Sequence, residues 1–452
     1  MSKTERVAAP SSIIVGGGIA GLTLADRLTA AGVQTRLIER EEHVGGLARS
    51  MRYGDFSFDI GPHRFHTYSK TVEQYLHDVL GQAYRTIGRS SGVYFFGRLH
   101  HWPLQISSIF RLPPTVLLRC AFDLFAKPEF DGESFSSYIL SRYGKTLYKA
   151  FFRDYTMKFC HVEPEMIHES WARASIHRAI IDKRYEQSSL LDVARVTLLP
   201  KKAKTRFLYP YGGMDSFHNA LVRRITDRGG EILTGTTCRL SGMPGETPSV
   251  LFNGKKLTAD RVFWSGSITQ AYEDLFTNAR PLNLKYLSLA IFNIEAQNVN
   301  DGMNQWTYFS SPDFILSRIS FPHNFDPSLV PPGYQGITAE VTVPENQHSI
   351  PWEDWESRVL EELETAGVVN RGDIRAVHRK FIPDAYPIYE LHYLKVLRSV
   401  MREFEDFPGF VLFGRTGRFW YNNMDDSIEA SLVLADEEIA KWRERSLLPA
   451  EE

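Results

Sequence analysis

The spacing of three glycines near the start of the chain constrains the fold more than any other feature. Gly16, Gly18 and Gly21 form the pattern G-x-G-x-x-G directly after the apolar residues 13–15. A segment with helical periodicity follows the glycines, and a second apolar run then ends at Glu39. This order of strand, glycine turn, helix and strand predicts a βαβ unit of the Rossmann type.

The glycine spacing also predicts a ligand, because each glycine has a separate physical use. Gly16 allows the tight turn, Gly18 lets the backbone approach a pyrophosphate, and Gly21 lets helix and strand pack closely. The helix N-terminus adds backbone N–H groups and the positive end of a dipole. Glu39 stands where a carboxylate would accept hydrogen bonds from an adenosine ribose and disfavour a 2′-phosphate.

A second glycine turn favours one dinucleotide over the other. Gly45 and Gly46 follow the βαβ unit, and the basic residue Arg49 lies just beyond them. A second turn suits a long, extended cofactor that continues past the first unit. We therefore predict FAD as the cofactor, bound by these three residues as well, rather than NAD.

Composition limits the other function classes. The chain has 452 residues, with 52 basic and 54 acidic side chains and a net charge of −2, so nothing in its overall charge favours nucleic acid or an anionic membrane. Cys120, Cys160 and Cys238 are widely separated, which argues against a disulfide framework. With no apolar leader and no long apolar run, the sequence predicts a cytoplasmic protein without a membrane span.

The pattern along the chain predicts an α/β fold with a discontinuous first domain. We expect a Rossmann-like FAD-binding domain made of residues 1–75, 206–280 and 400–452. Residues 76–205 show mostly helical periodicity and predict a helical insertion. Residues 281–399 contain alternating strands and predict an antiparallel-sheet substrate domain.

A cluster of functional residue types follows a turn signal at Gly61 and Pro62. His63, Arg64 and His66 come directly after it. A metal site, a phosphate cradle and an ordinary solvated loop all fit these residues. A metal site is the weakest of the three, because no further cluster of His, Cys or Asp has metal-ligand spacing, and we predict no bound metal.

Several motifs together resemble a known family. They are "IIVGGGIAGLTLADRL", "VGGLARS", "FDIGPHRFHT", "YTMKF", "YPYGGM", "AYPIYE" and "GRTGRFWYNNMD". Their order is similar to that in the FAD-dependent superfamily of amine oxidases, protoporphyrinogen oxidase and UDP-galactopyranose mutase. The chain resembles the mutase branch most, where "GPHIFHT" stands in place of "GPHRFHT". The resemblance spans nearly the whole chain and implies a GR2-type flavoprotein.

The resemblance assigns a place to the turn of Gly61, Pro62 and His63, which is called the histidine turn below. It implies that Gly61, Pro62 and His63 lie against the flavin ring, with His63 near the face of the isoalloxazine and His66 supporting the loop. The segment "FILSRISFPHNF" resembles a mutase strand that directs Arg318 toward the flavin pocket. His63 and Arg318 are therefore candidate catalytic residues.

The motif "GRTGRFWYNNMD" resembles a mutase loop that holds the flavin and the sugar diphosphate. Gly414 and Arg415 match the Gly-Arg pair that opens this loop, and Tyr421 matches its tyrosine. A planar guanidinium suits a diphosphate because it donates two hydrogen bonds and keeps its charge. Arg415 and Tyr421 are thus further catalytic candidates, and Gly414, Asn423 and Met424 are expected to contact the cofactor.

The chain also departs from the mutase pattern. His392 stands where mutases have an arginine that reaches the diphosphate, and Asn423 stands where they have an aspartate. The mutase element "KQWG" is reduced to the stretch from Lys158 to His161, and no lid sequence is recognisable. One fewer fixed positive charge weakens the case for a plain UDP-hexose.

Three functions fit the sequence, of which we predict the first, with the second as the alternative. The first is a mutase in which N5 of reduced FAD is the nucleophile on a nucleotide sugar, giving a pyranose/furanose type of isomerisation. An external reductant such as NAD(P)H and a homo-oligomer are both compatible with such an enzyme. The second is an oxidoreductase that takes a hydride from a small organic substrate, and the third is an FAD-binding scaffold without catalysis. Proximity of Arg318 and Arg415 would favour the mutase.

Overall fold

The computed structural model describes residues 9–102, 113–123, 126, 128–130, 132–179, 206–276, 279–347 and 349–447. The strands in chain order are β1 Ser11–Val15, β2 Gln34–Ile38, β3 Ser50–Tyr53, β4 Phe56–Asp59, β5 Tyr84–Gly88, β6 Ser91–Phe95, β7 Arg98–His101, β8 Arg206–Pro210, β9 Glu231–Leu233, β10 Arg239–Ser241, β11 Ser249–Phe252, β12 Lys255–Leu257, β13 Arg261–Trp264, β14 Tyr286–Ala296, β15 Trp306–Phe309, β16 Arg318–Ser320, β17 Gln335–Val343, β18 Ile374–Pro387 and β19 Phe410–Leu412. The helices are α1 Ile19–Ala30, α2 Lys70–Leu80, α3 Pro114–Asp123, α4 Phe135–Leu147, α5 Asp154–Cys160, α6 Glu169–Ala179, α7 Asp215–Asp227, α8 Ile268–Leu275, α9 Trp352–Thr365, α10 Tyr393–Glu403, α11 Gly414–Gly417 and α12 Met424–Leu447.

The glycine pattern forms the predicted βαβ unit at the centre of a parallel sheet. The sheet has five strands in the order β19-β13-β1-β2-β9, and every pair in it is parallel. Gly16 has a φ of +102°, which a side chain would strain, and a Cβ at Gly21 would collide with the carbonyl oxygen of Gly16. The predicted α/β fold with a Rossmann-like domain is confirmed.

A larger mixed sheet forms the second layer. Its seven strands have the order β18-β14-β17-β16-β15-β6-β7, and all pairs are antiparallel except β15 with β6. Strand β14 is buried along almost its whole length. Helix α9 packs Val359 and Leu363 into the apolar cluster on one face of this sheet.

The region predicted as a helical insertion contains strands as well as helices. Strands β5, β6 and β7 lie within it, and β6 and β7 extend the seven-stranded sheet. The other described elements of this region, α3 to α6 and a π-helical turn at Tyr148–Arg153, are helical. The helical periodicity of the longer segments predicted helices only. It did not indicate the short hairpin of β6 and β7, because β6 pairs with β15, which lies far along the chain. The domain boundaries stay a prediction.

The helical region and the first domain share one apolar core. Tyr138 and Trp171 from the helices lie in the same cluster as Trp264 of β13 and Tyr389 after β18. This common core fixes the helices beside the carboxyl ends of the parallel strands. Among the described helices, none has the length and apolar character that crossing a membrane requires.

Candidate functional site

The two glycine turns lie in direct contact. The Gly45 N–H donates to the carbonyl oxygen of Gly17 at 2.8 Å, and Gly18 and Gly45 form an isolated parallel bridge. A Cβ on Gly46 would lie 3.0 Å from the Cα of Gly18, and Gly46 has a φ of +55°. The two turns therefore form a glycine cradle, defined by Gly16 to Gly18 and Gly45 to Gly46, in which a side chain at Gly46 would be strained and would crowd the backbone of Gly18.

The N-terminus of α1 opens from this cradle. Gly18 is the N-cap of α1, and no side chain in the described part of the chain caps this helix end. Its first N–H groups and the positive end of its dipole are thus suited to a phosphate. This geometry fits the pyrophosphate contact predicted for the cradle.

Glu39 is held at the end of β2 by backbone donors. Its carboxylate accepts hydrogen bonds from the Gly17 N–H at 2.7 Å and from the Glu41 N–H at 2.9 Å. Arg49 is buried nearby and donates to the Glu41 carboxylate at 3.1 Å. A carboxylate accepts about four hydrogen bonds, so Glu39 keeps acceptor sites for a ribose.

A buried histidine that the sequence interpretation missed lies under the cradle. His218 of α7 is 1% exposed, and neither of its ring nitrogens has a hydrogen-bond partner among the described residues. A Cβ at Gly45 would lie 2.8 Å from its Nδ1. Buried polar atoms without partners are costly, so His218 fits a polar cofactor beside the cradle. It follows Met214 by one helical turn, just beyond the "YPYGGM" motif.

The histidine turn packs on an ion pair. Gly61 has a φ of +79°, and a Cβ there would lie 3.0 Å from Arg318 Nη2 and 3.0 Å from Glu340 Oε1. The neighbouring His63 has a buried Nδ1 without a partner among the described residues. Burial, and then the charges of Arg318 and Arg64, lower the pKa of His63 to about 3. His63 is therefore neutral at physiological pH.

Arg318 is fixed by a carboxylate on the neighbouring strand. Its Nε and Nη2 each donate to the Glu340 carboxylate at 2.7 Å, and the two residues are register partners of β16 and β17. Arg318 Nη2 also donates to the Tyr386 hydroxyl at 3.3 Å. The bidentate contact leaves the guanidinium little freedom to move.

Arg415 reaches the same tyrosine from α11, which follows the last strand of the parallel sheet. Its guanidinium carbon lies 5.0 Å from the ring centroid of Tyr386 and 4.9 Å from that of Tyr421. It donates to the carbonyl oxygens of Asn422 at 2.9 Å and Ala385 at 3.0 Å. Burial raises the pKa of Tyr386 to about 12, so its hydroxyl stays protonated. Arg318 and Arg415 are thus brought together on one tyrosine.

The residues of the loop around Arg415 contact different parts of the protein. The Tyr421 ring stacks on Trp171 at a centroid distance of 4.6 Å, and its N–H donates to the Tyr389 hydroxyl at 2.7 Å. Gly414 has a φ of +71°, and a Cβ there would lie 3.3 Å from the Cβ of Ala20 in α1. The loop therefore joins the aromatic cluster of the helical region to the first helix.

Asn423 and Met424 lie at the start of α12. Asn423 is exposed, and its N–H donates to Asp426 Oδ2 at 2.9 Å. Met424 is partly buried against the core of the first domain. His392, which replaces a mutase arginine, has an exposed side chain 3.9 Å from Glu133. It adds no buried charge to the cluster around Tyr386.

Lys158, which matches the lysine of the mutase "KQWG" element, is held by backbone carbonyl oxygens. Its ammonium group donates to the carbonyl oxygens of Phe309 at 2.6 Å, Leu316 at 2.8 Å and Ser311 at 2.9 Å. Burial lowers the pKa of Lys158 to about 7. Within the described ranges, no three or more His, Cys, Asp or Glu side chains are grouped so that they could hold a metal ion.

Several known proteins are similar to this chain in sequence. The family model for an NAD(P)-binding Rossmann-like domain matches residues 14–79. A Klebsiella pneumoniae protein named "Probable UDP-galactopyranose mutase" is 23% identical over 447 residues, covering 97% of each chain. The dTDP-fucopyranose mutase of Escherichia coli is 26% identical over 164 residues, covering 34% of this chain and 43% of that protein.

A solved structure extends the likeness to the whole fold. The crystal structure of reduced UDP-galactopyranose mutase matches with a TM-score of 0.82 and 19% identity, covering 96% of each chain. This likeness shows the fold, and FAD, the predicted cofactor, agrees with it. The chain therefore resembles, over nearly its whole length, the UDP-galactopyranose mutase-like branch of the FAD-dependent amine oxidase and protoporphyrinogen oxidase superfamily.

Proposed function

We propose that the protein is a flavin-dependent mutase that rearranges a nucleotide sugar, as in a pyranose/furanose isomerisation. The observation that carries the proposal is the convergence of Arg318 and Arg415 on Tyr386. Two fixed guanidinium groups on one partly buried aromatic residue are suited to a diphosphate, which carries negative charges on neighbouring phosphates. An oxidase that takes a hydride from an uncharged substrate has no need for this arrangement.

The residues present fit FAD as the cofactor. The glycine cradle and the N-terminus of α1 would hold the pyrophosphate, Glu39 would hold the ribose, and His218 would supply a ring nitrogen. When bound and reduced, FAD supplies a nucleophilic N5 atom for attack on a sugar carbon. An external reductant such as NAD(P)H belongs to this proposal.

His63 would act in this site without changing its own charge. Its pKa of about 3, caused first by burial and then by Arg318, keeps the ring neutral. A neutral imidazole can accept or donate a hydrogen bond but is not a proton donor of useful strength at pH 7. We assign it to positioning against the flavin ring rather than to acid catalysis.

The charges and rings of the site have separate uses. Arg415 and Arg318 would stabilise the nucleoside diphosphate as it leaves the sugar, because they are fixed before the reaction begins. The partly buried tyrosines would exclude water from the reacting carbon; Tyr386 and Tyr421 contact Arg415, and burial raises the pKa of Tyr155 well above its usual value. Excluding water strengthens the contact between guanidinium and phosphate.

An oxidoreductase of the same fold is the second candidate. The exposed side chain of His392, in place of a mutase arginine, favours it, since one cation of the mutase pattern is missing. The aromatic residues around Tyr386 would also suit an apolar substrate. The two candidates differ in whether a sugar becomes attached to the flavin.

A trapping experiment separates the two. The FAD-loaded protein is reduced with dithionite and mixed with UDP-sugars and dTDP-sugars in the presence of cyanoborohydride, and the extracted flavin is weighed by mass spectrometry. A mutase gives a flavin heavier by one reduced sugar unit. An Arg415→Met variant should give much less of this product, whereas Arg371→Met, which removes a half-exposed cation paired with Glu364, should give as much as the wild type.

An unmodified flavin across the whole panel would contradict the mutase proposal. Amine and ring substrates would then be tested with the oxidised enzyme, following the loss of flavin absorbance. A flavin modified equally in the wild type and in Arg415→Met would keep the mutase but remove Arg415 from the diphosphate site.

A further inference from the structure

A second pair of cations lies next to the histidine turn, around Trp306. The guanidinium carbon of Arg64 is 4.5 Å from the ring centroid of Trp306 and 5.0 Å from that of Phe207. The guanidinium carbon of Arg89 is 5.7 Å from the centroid of Trp306. Arg64 and Arg89 are called the Trp306 cation pair below. The mutase motif carries isoleucine at the position of Arg64, so the charge there is a feature of this chain.

Arg64 and the indole of Trp306 each carry a buried donor without a partner among the described residues, whereas Arg89 Nε donates to the Ser91 hydroxyl at 3.4 Å. Arg64 Nη1 donates to the carbonyl oxygen of Pro62 at 2.7 Å, but its buried Nε has no partner among the described residues. The indole Nε1 of Trp306 is likewise buried without a partner there. Both atoms can only donate. Leaving two buried donors without an acceptor costs free energy, so their arrangement points to an acceptor supplied by a ligand.

The charges near the pair leave it positive. Burial, and then the charges of Arg89 and Arg318, lower the pKa of Arg64 to about 10 despite the opposite effect of Tyr308; burial likewise lowers the pKa of Arg89 to about 10. Both side chains keep their charge at pH 7. The nearby Glu340 carboxylate is engaged by Arg318 through both oxygens, and Asp425 only partly opposes the shift at Arg64.

The sheet places the pair beside the proposed diphosphate site. Trp306 and Tyr308 are alternate residues of β15 and therefore lie on one face of the sheet. Tyr308 is the register partner of Arg318 on β16. Arg64 directly follows His63 in the turn that packs on Arg318. An anion bound at the pair would thus lie beside the phosphates held by Arg318 and Arg415, on the same substrate.

We propose that Arg64, Arg89 and the indole N–H of Trp306 form a subsite for a carboxylate carried by the sugar of the substrate. The substrate class is then a nucleotide-activated acidic sugar, such as a nucleotide uronic acid. The planar fork of Arg64 matches the two oxygens of a carboxylate, and the indole adds a third donor. This inference rests on the proposed nucleotide-sugar function and names its substrate class.

Binding of matched sugar pairs to the reduced, FAD-loaded protein tests the subsite. The pairs are UDP-glucose with UDP-glucuronate, UDP-galactose with UDP-galacturonate, and dTDP-glucose with dTDP-glucuronate, and affinity is read from the change in the flavin spectrum. The wild type should bind the acid of at least one pair roughly tenfold or more tighter than its neutral partner, as charge-assisted hydrogen bonds in a buried site require. Equal affinity within every pair that binds would overturn the subsite and leave the mutase proposal standing.

Variants then assign the preference to Arg64. Arg64→Met should abolish the preference for the acid and leave the affinity for the neutral sugar within about twofold, while Arg64→Lys should keep part of the preference because it keeps the charge. Arg371→Met is the matched control and should keep all of it. The wild-type comparison needs no variant, so the proposal stays testable if Arg64→Met does not fold.

Other outcomes would show that Arg64 binds an anionic group other than a sugar carboxylate. If Arg64→Met loses the same affinity for the acidic sugar as for the neutral sugar, Arg64 binds the diphosphate. If this variant purifies without FAD, Arg64 binds the cofactor. Either result overturns the inference. If no nucleotide sugar of the panel binds, the proposed function fails and the inference falls with it.

Discussion

The neutral state of His63 leads to a prediction that can be worked through in numbers. Burial and the neighbouring arginines lower the pKa of His63 to about 3, from an unfolded value of about 6.5. At pH 5.5 the folded protein should then carry about 0.3% protonated His63, whereas the unfolded chain carries about 90%. The ring should therefore not titrate between pH 5 and 8.

This difference in protonation makes the folded state sensitive to acid. Because the unfolded chain binds the proton more tightly, the stability that depends on neutral His63 is present above pH 6.5 and is lost as the pH falls toward 3. Between pH 7.5 and pH 5.5 the loss should be about 1.4 kcal/mol.

Two measurements on the FAD-loaded protein check the reasoning. Histidine ring resonances are followed by NMR from pH 5 to 8, and His63→Gln identifies the resonance of His63 by its absence. Urea unfolding of both proteins at the two pH values should show the wild type losing about 1.4 kcal/mol relative to His63→Gln. A His63 resonance that titrates near pH 6.5, or a stability difference that does not depend on pH, would refute the argument.

Three further substitutions test the site. Gly46→Val should yield protein without FAD, since φ is +55° and a Cβ meets the facing turn at 3.0 Å, and a yellow variant with full FAD content would contradict the cradle. Glu340→Gln should destabilise the protein by about 3–5 kcal/mol in urea unfolding because Arg318 loses its buried partner. Glu353→Gln, in an exposed ion pair, should leave the free energy of unfolding nearly unchanged, and equal losses of stability in the two variants would refute the first claim. Arg415→Ala should weaken nucleotide-sugar binding by about 2–5 kcal/mol in calorimetry, and unchanged affinity would give Arg415 a purely structural role.

The local parts of the fold could be predicted from the sequence because they depend on neighbouring residues. The turn at Gly16 needs a positive φ, and the close packing at Gly21 excludes any side chain. Both requirements act within one βαβ unit, so the spacing of the glycines expresses them directly. The second turn of the cradle could be predicted for the same reason, because Gly45 and Gly46 adopt positive φ values that glycine readily takes.

The parts that depend on strand register could not be predicted in this way. Glu340 faces Arg318 only because β16 and β17 pair in one register, and no local pattern marks that carboxylate as its partner. The hairpin of β6 and β7 escaped prediction for the same reason, since its place in the sheet is set by β15.

Side chains that face the cofactor region from a helix were also missed. His218 lies on the buried face of α7, where a histidine and an apolar residue fit the same periodic pattern. Only its contact with the glycine cradle distinguishes it. The roles of the predicted site residues stay predictions, since geometry alone places them together.

The order of strands in the parallel sheet has a consequence for synthesis of the chain. Strand β1 lies at the start of the chain, but its neighbour β13 is bounded on the far side by β19, near the end. At roughly 5–20 residues per second, the ribosome takes about 20–80 s to deliver β19 after β1 has left the tunnel. Throughout that time β13, once made, has an open edge, and the loop that carries Arg415 does not yet exist. The cofactor domain is therefore among the last parts of the protein that can be completed, and nascent chains that stop before residue 410 should be the aggregation-prone ones.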